Sequence, residues 1–334
     1  MRYKVSIIIP CYNCETTIIH TINSVINQTI GFENIELILI DNGSTDNTKS
    51  IIEKYSNKYK NIQPIFIKNN TGNAAIPRNK GLEKSTSEYI MFLDADDEYI
   101  NDFCEIAYKK ITENDVDLVK CNFITIKNSI ESYDYYFNKD IDEKIIKNTD
   151  LPLKYVTIWN GIHKSEILRK NNITFPNYMG EDMCFTTKEF LNINKMLYLN
   201  NYFGYKYYDD ENSHSKSPET SQIKSLITAF EITGNFCKEY NREDVMNTVL
   251  GQQIIGIYTR INNNNESMKT KTQLLKDLYQ IVKKMPNLII PNKSYTIANS
   301  LMMKRLFYMT LLYLKIAPKL YSSKFLLKIN NKLK

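Results

Sequence analysis

Unbroken apolar runs, each followed by a helically spaced segment, fill the first 125 residues and limit what this chain can fold into. Residues 5–10, 35–40, 62–67 and 89–93 read as buried strands, because a strand covered on both faces loses its polar alternation. Residues 16–28 carry Ile18, Ile19, Ile22, Val25 and Ile26 at helical spacing. A second helix follows Ser44, its expected cap, through Ile51, Ile52 and Tyr55. Residues 75–84 and 103–112 read as helices and 116–124 as a strand. Such alternation predicts an α/β domain on a mostly parallel central sheet. Ligands of these sheets bind at the carboxyl ends of the strands.

The rest of the chain is patterned differently. Residues 126–150 are polar and read as a loop or insertion. Residues 151–210 are mixed α+β, and from about 219 the pattern is helical over 221–240, 244–261, 269–284 and 295–316, with Pro318 expected to end the last helix. A length of 334 residues suits one large domain, 1–215, with a helical appendage, 216–334. A hydrophobic share of 43% and a charged share of 24% exclude wholesale disorder.

Charge is split along the chain. The net charge is +6, yet Asp277 is the last acidic residue and eleven Lys and Arg residues follow it. Leu301, Met302, Met303, Leu306, Phe307, Met309, Leu311, Leu312, Leu314 and Ile316 interleave with Lys304, Arg305 and Lys315. A basic, amphipathic segment of this kind suits an anionic membrane surface. Packing on the first domain or on a second protomer is the alternative. Nucleic acid fits less well, because the tail has a large apolar share and no base-reading motif. With no secretory signal and no apolar run of about 18 residues, a cytoplasmic protein is expected, peripheral on the inner face of the membrane. Its six cysteines are then expected as reduced thiols, Cys11-x-x-Cys14 among them.

Four polar strings fall at element ends. Asp41-Asn42-Gly43-Ser44-Thr45-Asp46 follows the second strand and suits either a nucleobase or ribose contact, or a turn with a helix cap. Asp94-Ala95-Asp96-Asp97 follows the fourth strand. Carboxylates crowded there repel one another unless a divalent cation neutralises them, and hard oxygen ligands suit Mg²⁺ or Mn²⁺; a solvated turn with Asp97 as cap is the plainer reading. Arg78, in Pro77-Arg78-Asn79, can reach a diphosphate or hold the acidic cluster. Gly180-Glu181-Asp182 either favours a helix N-terminus or supplies a general base.

Taken in order, these strings resemble family 2 glycosyltransferases of the GT-A fold. The resemblance rests on Val5-Ser6-Ile7-Ile8-Ile9-Pro10-Cys11-Tyr12-Asn13, Ile40-Asp41-Asn42-Gly43-Ser44-Thr45-Asp46, Pro77-Arg78-Asn79-Lys80-Gly81, Tyr89-Ile90-Met91-Phe92-Leu93-Asp94-Ala95-Asp96-Asp97 and Gly180-Glu181-Asp182. It implies an inverting, metal-dependent enzyme that moves a sugar from a nucleotide-sugar, a UDP-sugar by expectation, to a hydroxyl of a cell-surface glycan or lipid-linked acceptor. Pro10, Tyr12, Asp41 and Asn42 are then expected at the nucleotide, although many relatives carry Asp where this chain has Asn42. Asp94 is implied near the ribose or the metal, and Asp96 as a ligand of Mn²⁺ or Mg²⁺. Asp182 is implied as general base beside Glu181. Trp159 and Asn160 fall where relatives contact acceptor or donor sugar, and His214 where it can approach diphosphate or metal. Trp159 as core packing and His214 as a surface residue are the plainer readings. The Pro77-Arg78-Asn79 form resembles a subgroup that includes wall teichoic acid transferases. The Gln-x-x-Arg-Trp string of processive synthases is absent. Two other classes stand as alternatives, a nucleotidylyltransferase acting on a sugar phosphate and a silent nucleotide-sugar binder. Cys11-Tyr12-Asn13-Cys14, where the first would carry a glycine-rich phosphate loop, argues against it.

Overall fold

A computed structural model describes residues 3–137, 139–147, 156–209 and 218–322. In chain order the elements are β1 (Val5–Cys11), α1 (Ile18–Ile26), β2 (Ile35–Asp41), α2 (Thr48–Lys58), β3 (Ile62–Phe66), α3 (Ala75–Lys84), β4 (Tyr89–Phe92), β5 (Glu98–Tyr99), α4 (Phe103–Glu113) and β6 (Leu118–Lys127). There follow β7 (Ile130–Asp134), β8 (Glu143–Lys147), β9 (Gly161–Lys164), α5 (Ser165–Lys170), α6 (Glu181–Asn192) and β10 (Lys195–Tyr208). The helices α7 (Thr220–Glu239), α8 (Glu243–Asn263), α9 (Met268–Val282), α10 (Lys293–Met303) and α11 (Phe307–Ser322) complete the described chain.

The described residues form two compact units, 3–147 with 156–177 and 185–209, and 178–184 with 218–322. The sheet of the first unit has the order β3-β2-β1-β4-β9-β6-β10-β5, with β7 on β6 and β8 on β10. β1, β2, β3 and β4 run parallel, and so do β6 and β10. β9 lies antiparallel between β4 and β6. Every residue of β2 is buried, as its unbroken apolar run demands. α3 packs closely on this sheet through Gly81, where a Cβ would lie 2.4 Å from Ile8 Cγ2.

Three expectations change. Over 126–150, expected as a loop or insertion, the described residues include β7 and β8, which extend the sheet as antiparallel strands. Asn128 and Ser129 turn the chain between β6 and β7 with φ of 50° and 64°, the left-handed pair that a two-residue hairpin needs. Ser44 is not the cap of α2, because its Oγ accepts from Asn13 N–H; Asp46 Oδ1 accepts from Thr48 N–H instead, at 3.0 Å. The helix expected over 295–316 is two helices, broken where Arg305 takes φ 61°, and α11 runs through Pro318 to Ser322. Among the described residues, no helix is long and apolar enough to cross a membrane.

Candidate active site

Pairing of β1 with β2 on one side and β4 on the other brings three strand ends together. The register sets Cys11 opposite Asp41, and Leu93 N–H donates to the Ile8 carbonyl at 3.1 Å, so Asp94 emerges beside β1. Pro10 is partly exposed at this edge, and Tyr12 is 46% exposed beyond it. An exposed ring at a strand end is available for stacking on a base.

The loops after β1 and β2 are latched together. Asn13 N–H donates to Ser44 Oγ at 3.0 Å, and Thr45 N–H returns a bond to Asn13 Oδ1 at 2.9 Å. Cys14 N–H donates to Thr48 Oγ1 at 2.8 Å. Gly43 makes the tight turn with φ +74°, and a Cβ there would meet Asn70 N at 2.6 Å. Asp41 is buried, and its Oδ1 accepts from Ser44 N–H at 3.3 Å. Asn42 spends its amide on the loop 70–73. Its Nδ2 donates to Asn70 Oδ1 and the Asn73 carbonyl, while its Oδ1 accepts from Thr71 N–H and Thr71 Oγ1. All four valences of an amide are thereby used. Asn42 holds the pocket's side loop in place.

Arg78 sits in α3, buried, and its Nη2 donates to Asp94 Oδ1 at 2.8 Å. Its guanidinium lies 5.5 Å from the ring centre of Phe175, a favourable cation–π distance. Asn79 pins that ring's backbone: Nδ2 donates to the Phe175 carbonyl at 2.8 Å, and Phe175 N–H donates to Oδ1 at 2.9 Å. Pro77-Arg78-Asn79 is thus one device, an arginine plus the clamp that positions its aromatic support. Of the two uses open to Arg78, the structure displays the hold on the acidic cluster.

The Asp94-Ala95-Asp96-Asp97 turn is fixed from two further sides. Thr17, just before α1, and Thr21 within it both donate to the Ala95 carbonyl, each at 2.9 Å. Asp97 is 1% exposed and accepts from Tyr205 Oη at 2.6 Å and Tyr208 N–H at 2.8 Å. Burial, together with the charges of Asp96 and Asp94, holds the Asp97 carboxyl well above the usual carboxylate range. Asp97 is therefore neither a solvated turn residue nor a helix cap. Asp96 points outward, exposed. The Tyr207 hydroxyl, pushed up to about 12 by burial and then by Asp209, Asp97, Asp96 and Asp94, reports the same concentration of negative charge.

Among the described residues, no group of three His, Cys, Asp or Glu side chains is arranged to hold a metal. His214 lies outside the described residues. Asp94 and Asp96 alone still fit Mg²⁺ or Mn²⁺ in a phosphate site, where one or two carboxylates suffice and diphosphate oxygens and water complete the shell. All six cysteines are free and buried, Cys11 and Cys14 included.

Trp159 is 7% exposed and belongs to an aromatic stack. It lies 4.2 Å from the Tyr205 ring and 5.8 Å from Tyr207, parallel to the latter within 2°. Asn160 is fully engaged in the core: Nδ2 donates to the Cys121 carbonyl, and Oδ1 accepts from Thr157 Oγ1. Sequence reasoning missed the pair beneath them. His163 Nδ1 faces Glu189 Oε1 at 2.7 Å, and Nε2 faces the Ile158 carbonyl at 3.0 Å, all buried. Both ring nitrogens thus have oxygen partners. It also missed Asp97's partners, although the alternation Phe203, Tyr205, Tyr207 along β10 is a readable signal.

Glu181 and Asp182 open α6 and belong to the second unit. Gly180 precedes them with φ +89°, and its carbonyl accepts from Met183 and Cys184 N–H. Both carboxylates are half-buried, at a helix end whose dipole favours negative charge.

Three adjacent strand ends thus carry an exposed ring, a buried carboxylate, an Arg–Asp pair and an exposed Asp. The family described as "Glycosyl transferase family 2" matches residues 6–173. The chain is 32% identical over 306 residues to the poly(ribitol-phosphate) beta-N-acetylglucosaminyltransferase TarP of Staphylococcus aureus, covering 85% of this chain and 89% of TarP. It is 33% identical over 217 residues to the cholesterol galactosyltransferase of Borreliella burgdorferi, covering 60% of this chain and 59% of that protein's length. The crystal structure of Staphylococcus aureus TarS 1–349 in complex with UDP-GlcNAc superimposes with a TM-score of 0.78 at 21% identity, covering 95% of this chain and 92% of that one. The chain belongs to glycosyltransferase family 2 and has the GT-A fold.

Proposed function

We propose that the protein transfers a sugar, with inversion, from a UDP-sugar to a hydroxyl of an anionic cell-surface polymer built of polyol phosphate. The observation that carries this reading is the meeting of Asp41, the Arg78–Asp94 pair and Asp96 at three adjacent strand ends. The names of its relatives support it, TarP above all, which acts on poly(ribitol-phosphate); a glycolipid acceptor is the second choice, after the Borreliella enzyme.

In this reading Tyr12 stacks on the base, Pro10 shapes the pocket edge, and Asp41 holds the ribose or the base edge. Asn42 acts through the loop 70–73. Asp94 and Asp96 would hold Mg²⁺ or Mn²⁺, and His214 is the further ligand the family resemblance implies. When bound, the cation offsets charge developing on the departing diphosphate. Arg78 holds Asp94 in orientation. Asp182 takes the proton of the acceptor hydroxyl as it attacks the anomeric carbon opposite the diphosphate, and Glu181 keeps the local field negative. One in-line displacement inverts the centre. Trp159, with Tyr207, walls the sugar side, and Asn160 fixes the segment that carries it. The tail lays the enzyme on the anionic inner face of the membrane, where acceptors are assembled.

Two substitutions test the chemistry. Asp182→Asn should keep UDP affinity within about twofold and lower transfer by roughly 10²–10⁴-fold. Transfer at the parental rate would remove Asp182 from the mechanism. Asp96→Ala should keep the melting temperature of the apoprotein and lose the Mn²⁺-dependent part of UDP binding; an unchanged response to Mn²⁺ would refute its ligand role.

A further inference from the structure

The second unit contains a groove that donor chemistry does not use. It has a volume of about 510 Å³ and lies between the starts of α7 and α9. Lys224 and Thr220 line it from α7; Lys269, Thr270, Gln273 and Lys276 line it from α9. The spacing explains the lining. Positions 269, 273 and 276 recur at i, i+4 and i+7, and 220 and 224 at i and i+4, so each set shares one helix face. No carboxylate lines the groove. Asp277, close by in sequence, accepts from Gln273 Nε2 at 2.8 Å. Among the described residues, none of the three lysines is ion-paired.

Three lysines facing one concavity repel one another unless an anion joins them. Elsewhere in this unit a lysine finds a carboxylate, as Lys284 does with Glu231. Here the crowding stands, and the first turns of α7 and α9 add their positive dipole ends. α7 lacks a side-chain cap on its first turn. Met268 and Leu274 supply an apolar floor, while Thr272 Oγ1 and Gln273 Nε2 donate within their own helix, so the lysines are the groups left for an anion.

We infer that this groove binds a phosphodiester polyanion, the backbone of the acceptor polymer. The inference rests on the acceptor class proposed above and adds a site to it. From Lys269 to Lys276 the helix rises about 10 Å at 1.5 Å per residue, enough for more than one phosphate of a flexible chain. A polymer held in the groove has its local concentration at the enzyme raised. Repeated charges also make its grip salt-dependent, because bound phosphates release counterions.

The test uses the full chain and inorganic polyphosphate as probe. The variant K224Q/K269Q/K276Q should bind polyphosphate at least tenfold more weakly than the parent in 50 mM salt. Its plot of log affinity against log salt should flatten by roughly three, since each of the three removed lysines contributes about one. Its circular dichroism and its turnover of UDP-sugar by hydrolysis should match the parent. If the triple variant unfolds, K269E/K276E replaces it with the same expectation. Unchanged affinity and slope would overturn the site, as would a loss confined to anionic vesicles with polyphosphate binding retained. Absence of UDP-sugar turnover in the parent would count against the transferase reading alone, because the polyphosphate measurement does not depend on it.

Discussion

Along the string Asp94-Ala95-Asp96-Asp97, Asp94 meets Arg78, the Ala95 carbonyl meets Thr17 and Thr21, and Asp97 meets a tyrosine and a backbone N–H of β10, while Asp96 is exposed. A run of acids alone does not say which one is load for the metal and which is a bolt. Asp97 is the bolt. Asp97→Ala leaves the Tyr205 hydroxyl and Tyr208 N–H unsatisfied in the core and should cost about 2–3 kcal/mol, read as a lower urea midpoint. Asp97→Asn keeps an acceptor for Tyr208 and a donor for Tyr205 while removing charge beside Asp94 and Asp96, so its midpoint should stay within about 1 kcal/mol of the parent. Equal losses in both variants would contradict the hydrogen-bonding account. His163 poses the complementary case. His163→Ala removes the hydrogen-bond partner of buried Glu189 Oε1 and should cost about 1–3 kcal/mol; a loss under 1 kcal/mol in urea unfolding would show the pair to be dispensable.

Elements were legible where one physical signal dominated. The buried strands β1, β2, β3 and β4 announce themselves as apolar runs, and α1 by the spacing of Ile18, Ile22 and Val25, all buried. β7 and β8 were illegible because they are polar strands at the margin of the sheet, where one face meets water and the apolar run disappears. The Asn128-Ser129 turn was their one signal, weaker than Asn-Gly. The break between α10 and α11 was hidden because Lys304 and Arg305 continue a helical pattern, while Arg305 φ reverses. The candidate site was legible by residue type, since its carboxylates and Arg78 stand at strand and helix ends. Tertiary partners were not: Asn42 and Asn160 turned out to be spent on backbone and neighbouring side chains. α3 offers a test at this scale. Gly81→Ala drives a methyl against Ile8 and Ile40, so α3 must retreat from the sheet. A cost of about 1–3 kcal/mol is expected, together with weaker UDP binding because Arg78 rides on the same helix. Parental UDP affinity would show that α3 does not position Arg78 within the pocket.

At the scale of the whole molecule, charge and apolar exposure coincide near the carboxyl end. Tyr308, Met309, Leu312 and Ile316 are exposed on α11, and Lys324, Lys328, Lys332 and Lys334 follow it in sequence. α10 and α11 also contribute to packing: Ala298, Met302, Leu311 and Leu314 are buried, and Tyr258 Oη donates to Asn299 Oδ1 at 2.9 Å. Truncation must therefore spare them. Removing 323–334 should keep the melting temperature and weaken binding to phosphatidylglycerol vesicles, each lysine near the surface contributing about 1 kcal/mol. Unaltered vesicle binding would remove the tail from the membrane account. The central claim, a UDP-sugar pocket at the ends of β1, β2 and β4 completed by a cation, is tested most directly by thermal shift with UDP, GDP, CDP and TDP, each with and without Mn²⁺. Ligand at 100 times its Kd stabilises the native state by about 2.7 kcal/mol, well within reach of the method. The account predicts a rise in melting temperature for UDP that depends on Mn²⁺ and is lost in Asp96→Ala. A rise of equal size for all four nucleotides, or one indifferent to Mn²⁺, would contradict it.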